Sequence, residues 1–297
     1  MKSGFVALIG RPNAGKSTLM NEILGKKVAI MSDKPQTTRN RITGIYTKED
    51  VQIVYLDTPG IHKPKHKLGE YMVEVAEKTI RDVDLVYYLV DATVDFKGGE
   101  RYIVERLKYV EQPVILVLNK IDLIPKEDLL RKIDFWQNQY EFAEIFPVSA
   151  LKRDNVDQLI EKTKTYLEEG PMFYPSDAVT DQPEKVIISE IIREKILNRT
   201  KEEIPHSVAV VIEQIEEKKK GEVINILATI YVERSSQKKI VIGKQGQLLK
   251  AIGQDSRREL ENILGARIFL DLWVKVKEDW RNKNTTLSNF GYNNRDY

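Results

Sequence analysis

The sequence of 297 residues has no cysteine and only three histidines. Without thiols it can form neither a disulfide framework nor a thiolate zinc site. No apolar run approaches the roughly 18 residues of a membrane span, since the longest, Leu85–Val90, lies between Asp84 and Asp91. The first apolar stretch, Phe5–Ile9, is too short for a secretory leader. These absences predict a soluble chain without an export signal, and the length predicts two domains.

Charge is distributed unevenly along the chain. Residues 1–183 carry 26 basic and 28 acidic side chains, whereas residues 184–297 carry 21 and 17. The excess is concentrated in residues 234–283, which contain twelve basic and six acidic side chains. Such a segment can attract a polyanion. On charge alone, a solvated face is the plainer interpretation.

Residues 4–169 alternate short apolar runs with longer amphipathic stretches. This rhythm predicts an α/β domain with a mostly parallel sheet covered by helices on both faces. The predicted strands are Phe5–Ile9, Val51–Leu56, Leu85–Val90, Val114–Leu118 and Ile145–Val148, with an additional edge strand at Arg41–Lys48. The predicted helices are Ser17–Leu24, Leu68–Arg81, Gly99–Tyr109, Lys126–Tyr140 and Val156–Leu167, the last capped by Asp154 or Asn155.

The rhythm stops near residue 170, where three prolines within residues 171–183 indicate a linker. A smaller α+β domain follows. Its predicted elements are a helix at Val186–Thr200, strands at Ser207–Glu216 and Glu222–Glu233, a glycine-bearing loop at 243–246, a helix at Gln247–Leu264 and a strand at Arg267–Lys275. The polar tail after residue 283 is expected to be mobile unless it docks on another part of the chain.

The segment Gly10–Ser17 is a complete G-x-x-x-x-G-K-S phosphate loop between a predicted strand and a predicted helix. Its glycines let backbone N–H groups curl around phosphate oxygens, Lys16 supplies a cation, and Ser17 offers a hydroxyl to Mg²⁺. Asp57 ends the second central strand and can hold the same Mg²⁺ through water, while the Gly60 N–H can reach a γ-phosphate. Between the two motifs, Thr37 and Thr38 are candidate metal ligands, and Thr38 is favoured.

The segment Asn119–Asp122 predicts which base is bound. A buried Asp122 carboxylate can accept hydrogen bonds from guanine N1–H and the exocyclic amine, which adenine cannot supply, so an unpaired carboxylate would penalise adenine. Asn119 would tie the base loop to the phosphate loop, and Lys120 would pack along the purine. The Ser149 and Ala150 backbone would offer N–H groups to guanine O6.

Taken together, these motifs resemble those of the Era family of translation-factor-related GTPases. The resemblance implies slow hydrolysis of GTP with Mg²⁺ held by Ser17, Thr38 and, through water, Asp57. Ile61 replaces the glutamine that orients water in Ras-like proteins. Because family members with Asn at position 13 often use K⁺, we hypothesise potassium stimulation, with Asn13, Lys16, Thr38 and Gly60 assisting hydrolysis. The predicted nucleotide-binding residues are Gly10, Arg11, Pro12, Asn13, Ala14, Gly15, Lys16, Ser17, Thr18, Thr38, Asp57, Thr58, Pro59, Gly60, Asn119, Lys120, Asp122, Ser149, Ala150 and Leu151.

In the second domain, Gly243–Gly246 forms a G-x-x-G loop between apolar turns, with basic residues around it. The element order helix-strand-strand-helix-helix-strand resembles a type II KH domain, in which such a loop meets a nucleic-acid backbone and an apolar cleft receives about four bases. The predicted RNA-binding residues are Ile242, Gly243, Lys244, Gln245, Gly246, Lys250 and Arg257. An inert glycine turn is the alternative. Trp273 and Trp280 are interpreted as core or surface anchors, and His62 and His66 as solvated loop residues.

The predicted organisation is a GTP-binding domain (1–170), a linker (171–184), a KH domain (185–283) and a polar tail (284–297). Resemblance to the family implies binding of GTP, GDP and the single-stranded 3′ region of 16S ribosomal RNA, and assistance in 30S subunit assembly. It also implies a cytoplasmic monomer with loose contact to the inner membrane. Two alternatives stay open: a nucleotide-independent RNA chaperone, and a GTPase whose second domain binds protein.

Overall fold

A mixed sheet forms the core of the first domain. The computed structural model describes residues 1–218 and 222–293. The sheet contains β1 (Lys2–Gly10), β2 (Ile42–Lys48), β3 (Val51–Asp57), β4 (Leu85–Asp91), β5 (Val114–Asn119), β6 (Glu144–Pro147) and β7 (Glu168–Glu169). Its order is β2-β3-β1-β4-β5-β6, with β7 antiparallel to the start of β1. Strands β3, β1, β4, β5 and β6 run parallel, and the predicted edge strand is present as antiparallel β2.

Helices cover both faces of this sheet, as the apolar runs predicted. They are α1 (Lys16–Leu24), α2 (Lys67–Arg81), α3 (Gly98–Leu107), α4 (Lys126–Gln137) and α5 (Val156–Lys164). Strands β1, β3, β4 and β5 are almost wholly buried, because alternate side chains enter two separate apolar clusters. The carboxyl ends of these strands therefore meet at one edge, where loops can build a binding site.

In the first domain, three helices end earlier along the chain than predicted. Helix α4 stops at Gln137 rather than Tyr140, because the chain turns so that the Tyr140 and Phe142 rings pack together, with Phe142 against Trp136. Helices α3 and α5 likewise end before Tyr109 and Leu167. Asn155 precedes α5 as predicted, but its side chain donates to the Pro147 carbonyl at 3.0 Å instead of capping the helix.

The predicted linker follows the free edge of the first sheet. The buried side chain of Gln52 accepts from the backbone N–H groups of Phe173 and Tyr174 and donates to the Tyr174 carbonyl. Further along, the Ile45 N–H donates to the Val179 carbonyl at 2.8 Å. The segment is thus held against β2 and β3 by hydrogen bonds.

The second domain is a three-stranded sheet with helices on one face. It contains α6 (Glu184–Arg199), α7 (Ile204–Ser207), β8 (Ala209–Lys218), β9 (Val223–Val232), α8 (Ser235–Ile242), α9 (Gln247–Leu264) and β10 (Arg267–Val276). Strand β9 is central, parallel to β10 and antiparallel to β8. Alternate residues of β9 and β10 join α6 and α9 in one apolar core. The short α7 was not predicted.

The segment after β10 docks on the first domain. A short turn at Trp280–Asn282 leads into α10 (Asn284–Asn289). Trp280, Leu287 and Tyr292 share an apolar cluster with residues of α2. The tail up to residue 293 is therefore packed, and residues 294–297 lie outside the described part. No helix in the described part of the chain is long and apolar enough to cross a membrane.

Candidate nucleotide site and nucleic-acid cleft

The phosphate loop joins β1 to α1 with close backbone packing. Gly15 has a φ of +95°, and a Cβ atom there would lie 2.1 Å from the Asn119 Nδ2 atom. Gly60 is equally confined, because a Cβ atom would lie 2.6 Å from the Pro12 nitrogen. Side chains at these two positions are thus sterically excluded, and the close packing leaves the loop's backbone N–H groups able to approach a phosphate.

Lys16 sits inside this loop. Its side chain is buried, and Nζ donates to the Arg11 carbonyl at 3.0 Å and the Gly10 carbonyl at 3.4 Å. Burial lowers the pKa of Lys16, and the nearby Asp57 carboxylate opposes that shift. The phosphate loop therefore holds the Lys16 ammonium group in place, where both would contact a bound phosphate.

Ser17, Thr38 and Asp57 come together as a candidate Mg²⁺ site. The Ser17 hydroxyl donates to Asp57 Oδ2 at 2.6 Å and lies 3.1 Å from the Thr38 hydroxyl, which is 3.3 Å from the same carboxylate oxygen. The Thr37 hydroxyl instead donates to the Lys34 carbonyl at 2.6 Å. Thr38, and not Thr37, therefore lies close enough to Ser17 and Asp57 to share a metal ion with them.

The donor set fits magnesium, which prefers oxygen ligands and retains waters. Burial raises the pKa of Asp57, while Lys16 and the two hydroxyls oppose the shift. The second carboxylate oxygen, Oδ1, is buried and has no hydrogen-bond partner among the described residues. Within residues 1–218 and 222–293, no cluster of three His, Cys, Asp or Glu side chains could hold a metal. Hydroxyls, one carboxylate and nucleotide phosphates would have to supply the ligands.

The Asn119 side chain connects the base loop to the phosphate loop. Its Nδ2 donates to the Ala14 carbonyl at 2.9 Å, and its Oδ1 accepts from the Ala150 N–H at 3.0 Å. Lys120 has a φ of +67° and forms an ion pair with Asp91 at 2.6 Å. This pair holds the Lys120 stem beside the cleft, where a purine ring could pack.

Two details of the base site differ from the sequence prediction. Asp122 is exposed rather than buried, because it lies in a short turn, Ile121–Leu123, after β5. It accepts from the Ser149 hydroxyl at 2.6 Å. The Ser149 and Ala150 N–H groups, predicted to bind guanine O6, already donate to Asp154 O and Asn119 Oδ1. The Leu151 N–H, which has no hydrogen-bond partner among the described residues, is the better candidate.

A cleft of about 660 Å³ opens beside the phosphate loop, the Thr38 hydroxyl and Lys120, a volume suited to a small ligand. The predicted residues lining it are Pro12, Asn13, Gly15, Lys16, Ser17, Thr18, Thr38, Gly60, Lys120 and Leu151. A second wall of the cleft, formed by residues 30–33, was not predicted. That segment carries no motif, and only its connection from α1 to the Thr38 segment could have suggested its position.

Ile61 points away from the cleft. Its side chain is buried in the apolar cluster beneath α2, and its N–H donates to the Gly10 carbonyl at 2.9 Å. Nearby, the Thr58 hydroxyl donates to the Leu8 carbonyl, which fixes the strand end. Ile61 therefore cannot orient a water molecule over the cleft, as the sequence suggested.

The G-x-x-G loop connects α8 to α9 at the mouth of a second cleft. Gly243 and Gly246 both have φ of +76°, and Gln245 adopts a left-handed conformation with φ of +52°. Lys244 and Gln245 are exposed on the loop, whereas Ile242 packs against the core. The cleft, about 460 Å³, is lined by Gly246, Leu249, Lys250, Gly253, Gln254, Arg257, Phe269, Leu270 and Leu272.

The cleft contributions from β10 were not predicted. Phe269 and Leu272 belong to a strand whose alternation indicated only a sheet face. Lys250 and Arg257 line the cleft from α9, so cationic groups meet an apolar floor. This combination suits single-stranded nucleic acid, whose backbone is anionic and whose bases are flat and apolar.

The two domains meet at the Thr38 segment. Arg39 is fully buried and donates to three carbonyls of the second domain: Val208 at 2.6 Å, Pro205 at 3.1 Å and His206 at 3.3 Å. Its guanidinium carbon lies 5.7 Å from the Trp280 ring centroid and 5.9 Å from that of Tyr292. We call Arg39 and these contacts the Arg39 joint.

Further contacts hold the same segment. The Arg193 guanidinium of α6 donates to the Gln36 and Thr37 carbonyls. The Glu194 carboxylate accepts from the Met31 N–H at 2.9 Å and pairs with Lys27 at 2.7 Å. The chain from Lys27 to Arg39 thus lines the nucleotide cleft on one side and contacts the second domain on the other.

Comparisons with known proteins agree with both sites. Residues 5–120 match a family model described as 50S ribosome-binding GTPase, and residues 203–281 match a KH domain model. The chain is 43% identical to Era in a complex with MgGDPNP and nucleotides 1506–1542 of 16S ribosomal RNA, with 98% of this chain and 99% of that one covered and a TM-score of 0.96. It is equally identical, over the same shares, to an Aquifex aeolicus Era variant bound to GDP·AlF4⁻, with a TM-score of 0.95.

Proposed function

Because the chain belongs to the Era family, we propose that it is a GTP-binding and GTP-hydrolysing switch that binds the single-stranded 3′ region of 16S ribosomal RNA. In this role it assists assembly of the 30S subunit and maturation of its RNA. The observation that carries the proposal is the Arg39 joint. It places a residue adjacent to the candidate metal ligand Thr38 against the KH domain.

Binding of GTP follows from the arrangement of the first cleft. The phosphate loop and Lys16 would bind the phosphates, and Asp122 and the Leu151 N–H would read the base. Mg²⁺, held by Ser17, Thr38 and, through water, Asp57, would stabilise negative charge on the transferred phosphoryl group. Gly60 lines the same cleft, and its N–H would bond the terminal phosphate. Hydrolysis should be slow, because Ile61 is buried and orients no water.

Potassium is the proposed replacement for a water-orienting or charge-neutralising side chain. Asn13 has a φ of +65°, and its Nδ2 donates to the Asp33 carbonyl at 2.7 Å, so its Oδ1 is left as an acceptor at the cleft wall. An additional cation beside the phosphates would stabilise developing charge. GTP turnover in KCl should exceed that in NaCl at equal ionic strength. Equal turnover would overturn the potassium proposal.

RNA binding is assigned to the second cleft. Its cationic and apolar lining suits a single strand, and Lys244 and Gln245 are exposed where a phosphate backbone would pass. The Era complex in the comparison contains the 3′ end of 16S ribosomal RNA. For this chain, the same region of 16S ribosomal RNA is therefore the proposed ligand.

The Arg39 joint supplies a physical route between the sites. GTP and Mg²⁺ would order Thr38, and hence Arg39 and the carbonyls that Arg193 contacts. Release of phosphate would loosen these residues and change how the KH domain packs. The joint is thus a two-state element that both ligands could bias.

One experiment separates this proposal from its alternatives. GTP and ATP turnover would be measured with and without a 3′ fragment of 16S ribosomal RNA, together with binding of that fragment in the presence and absence of nucleotide. We expect GTP selectivity and a change of turnover with RNA. RNA binding without any effect of nucleotide would favour an RNA chaperone, and no RNA binding would favour a protein partner for the second domain.

From family membership alone, we further propose a cytoplasmic monomer that contacts the cytoplasmic face of the inner membrane peripherally. The basic excess within residues 234–283 is compatible with an anionic surface. Light scattering would give the mass in solution, and flotation with anionic vesicles would test the contact. A stable dimer or a lack of flotation would overturn the corresponding part.

A further inference from the structure

Strand β10 exposes two large aromatic side chains. Phe269 is 63% exposed and Trp273 is 57% exposed, whereas the alternate residues Ile268, Leu270, Leu272 and Val274 face the core. Residues four apart on a strand share one face and lie about 13 Å apart. Both rings therefore point to the sheet face opposite the helices. Exposed aromatic groups in such a row commonly mark a binding surface.

This aromatic strip, Phe269 and Trp273, is continuous with the proposed RNA cleft. Because β10 is an edge strand of the sheet, Phe269 also borders the cleft that Gly246, Lys250 and Arg257 line. Trp273 lies further along the same strand, on the open face. A single strand leaving the cleft over β10 would thus meet Trp273 next.

The indole of Trp273 is already oriented. Its Nε1 donates to Asp271 Oδ2 at 3.1 Å, on the same face and between the two rings. Such a bond restricts ring rotation without covering the ring face. Asp271 also places one negative charge beside the strip, so that contact with phosphate there would be less favourable than contact with bases.

Charge across the open sheet face favours one path. On β10, Arg267 and Lys275 share the face of the aromatic strip, whereas the far strand β8 exposes Glu213 and Glu216. A polyanion would therefore follow β10 and avoid β8. An acidic peptide would satisfy the charges but not use two flat rings, whereas bases stack on aromatic side chains irrespective of sequence.

We propose that Phe269 and Trp273 form a stacking surface for bases of the single strand beyond those held in the KH cleft. The inference rests on the proposed RNA-binding function and extends it to a second, sequence-tolerant contact. It assigns Trp273 a role separate from that of Trp280, which is buried beside Arg39.

The tryptophan content of the chain gives a direct probe. The sequence has three tryptophans, and Trp136 and Trp280 are 3% and 0% exposed. Acrylamide quenching of the fluorescence therefore reports mainly on Trp273. Nested oligoribonucleotides from the 3′ region of 16S ribosomal RNA, with lengths of roughly four to twelve residues, would be titrated into the full chain. The shortest of these is the length of a KH cleft ligand.

We expect short oligonucleotides to leave quenching unchanged and longer ones to protect Trp273. Trp273→Ala should weaken binding of the longer RNA about tenfold and of the shortest by less than about twofold. Trp273→Phe should restore most of the loss. Tyr109→Ala, which removes an 89% exposed ring from the first domain, is the matched control.

The outcomes distinguish this inference from the function on which it rests. Binding of the short RNA with no gain or protection from added length would overturn the stacking surface alone. No binding of any RNA would overturn both. Protection of Trp273 that rises with protein concentration in the absence of RNA would identify a second copy of the chain as the occupant and contradict the inference.

Discussion

Replacing Arg39 with alanine should uncouple the two domains. The guanidinium makes three charge-assisted bonds to backbone carbonyls at 2.6, 3.1 and 3.3 Å and a fourth to the Tyr292 hydroxyl at 3.3 Å. At about 1.5–3 kcal/mol for each carbonyl bond, the gross loss is about 5–9 kcal/mol. Removing a buried cation also relieves its desolvation, and water can reach the carbonyls. We expect a net loss of about 3 kcal/mol, about 150-fold in the docking equilibrium.

Docking of the two domains can be measured by fluorescence resonance energy transfer. Because the chain has no cysteine, dyes attach only at cysteines that are introduced for the purpose. Cysteines introduced by Leu130→Cys and Ile263→Cys, at positions 67% and 44% exposed, would carry one dye in each domain. With a GTP analogue and Mg²⁺, the parent protein should show one dominant transfer efficiency, and Arg39→Ala should broaden or shift it. Arg131→Ala, at an exposed arginine of the first domain, is the control.

The same transfer efficiency and the same nucleotide response in Arg39→Ala and in the parent would exclude this role of Arg39. An equal change in Arg131→Ala would also refute it, because the effect would then reflect loss of surface charge. Affinity for the GTP analogue should fall by much less than the docking equilibrium, since Arg39 does not line the nucleotide cleft.

Three further predictions concern single residues. Asp122→Asn should move preference from GTP toward XTP, because an amide can donate to the xanthine 2-oxo group; a competition assay with unchanged preference would contradict this. Lys244→Glu should weaken RNA binding and leave GTP affinity intact, and equal losses of both would contradict separate sites. Burial, with the Arg281 charge, lowers the pKa of His66 from 6.5 to about 4, while the neutral ring accepts from the Gly69 N–H at 3.0 Å. Because the unfolded chain binds the proton first, stability should fall as pH drops from 6.5 toward 4. Urea unfolding should show a weaker fall in His66→Asn, and an identical slope would exclude His66.

Motifs fixed by local chemistry were predictable from sequence. The phosphate loop, Asp57 and Asn119 each lie at the carboxyl end of a parallel strand, so their meeting at one edge of the sheet is a consequence of topology. The hydrophobic pattern also predicted the central strands, because a strand whose two faces are both buried has a continuous apolar sequence. Helix ends were less predictable, since rings such as Tyr140 pack locally and end α4 early.

Contacts between residues far apart in the chain could not be predicted from the sequence. In the sequence, Arg39 is one basic residue in a polar loop. It is nevertheless buried, because carbonyls about 170 residues away accept hydrogen bonds from its guanidinium group. The tail is polar in composition, but Leu287 and Tyr292 reach α2. The exposure of Asp122 also depends on a turn whose orientation no spacing encodes.

The central claim is that the terminal phosphate of a bound guanine nucleotide controls the RNA cleft through Arg39. The most direct test measures the affinity of the intact chain for the 3′ fragment of 16S ribosomal RNA with a GTP analogue, with GDP and without nucleotide. We expect an affinity that differs between the GTP analogue and GDP, and a smaller difference in Arg39→Ala. Equal affinity in all three states of the unmodified chain would contradict it.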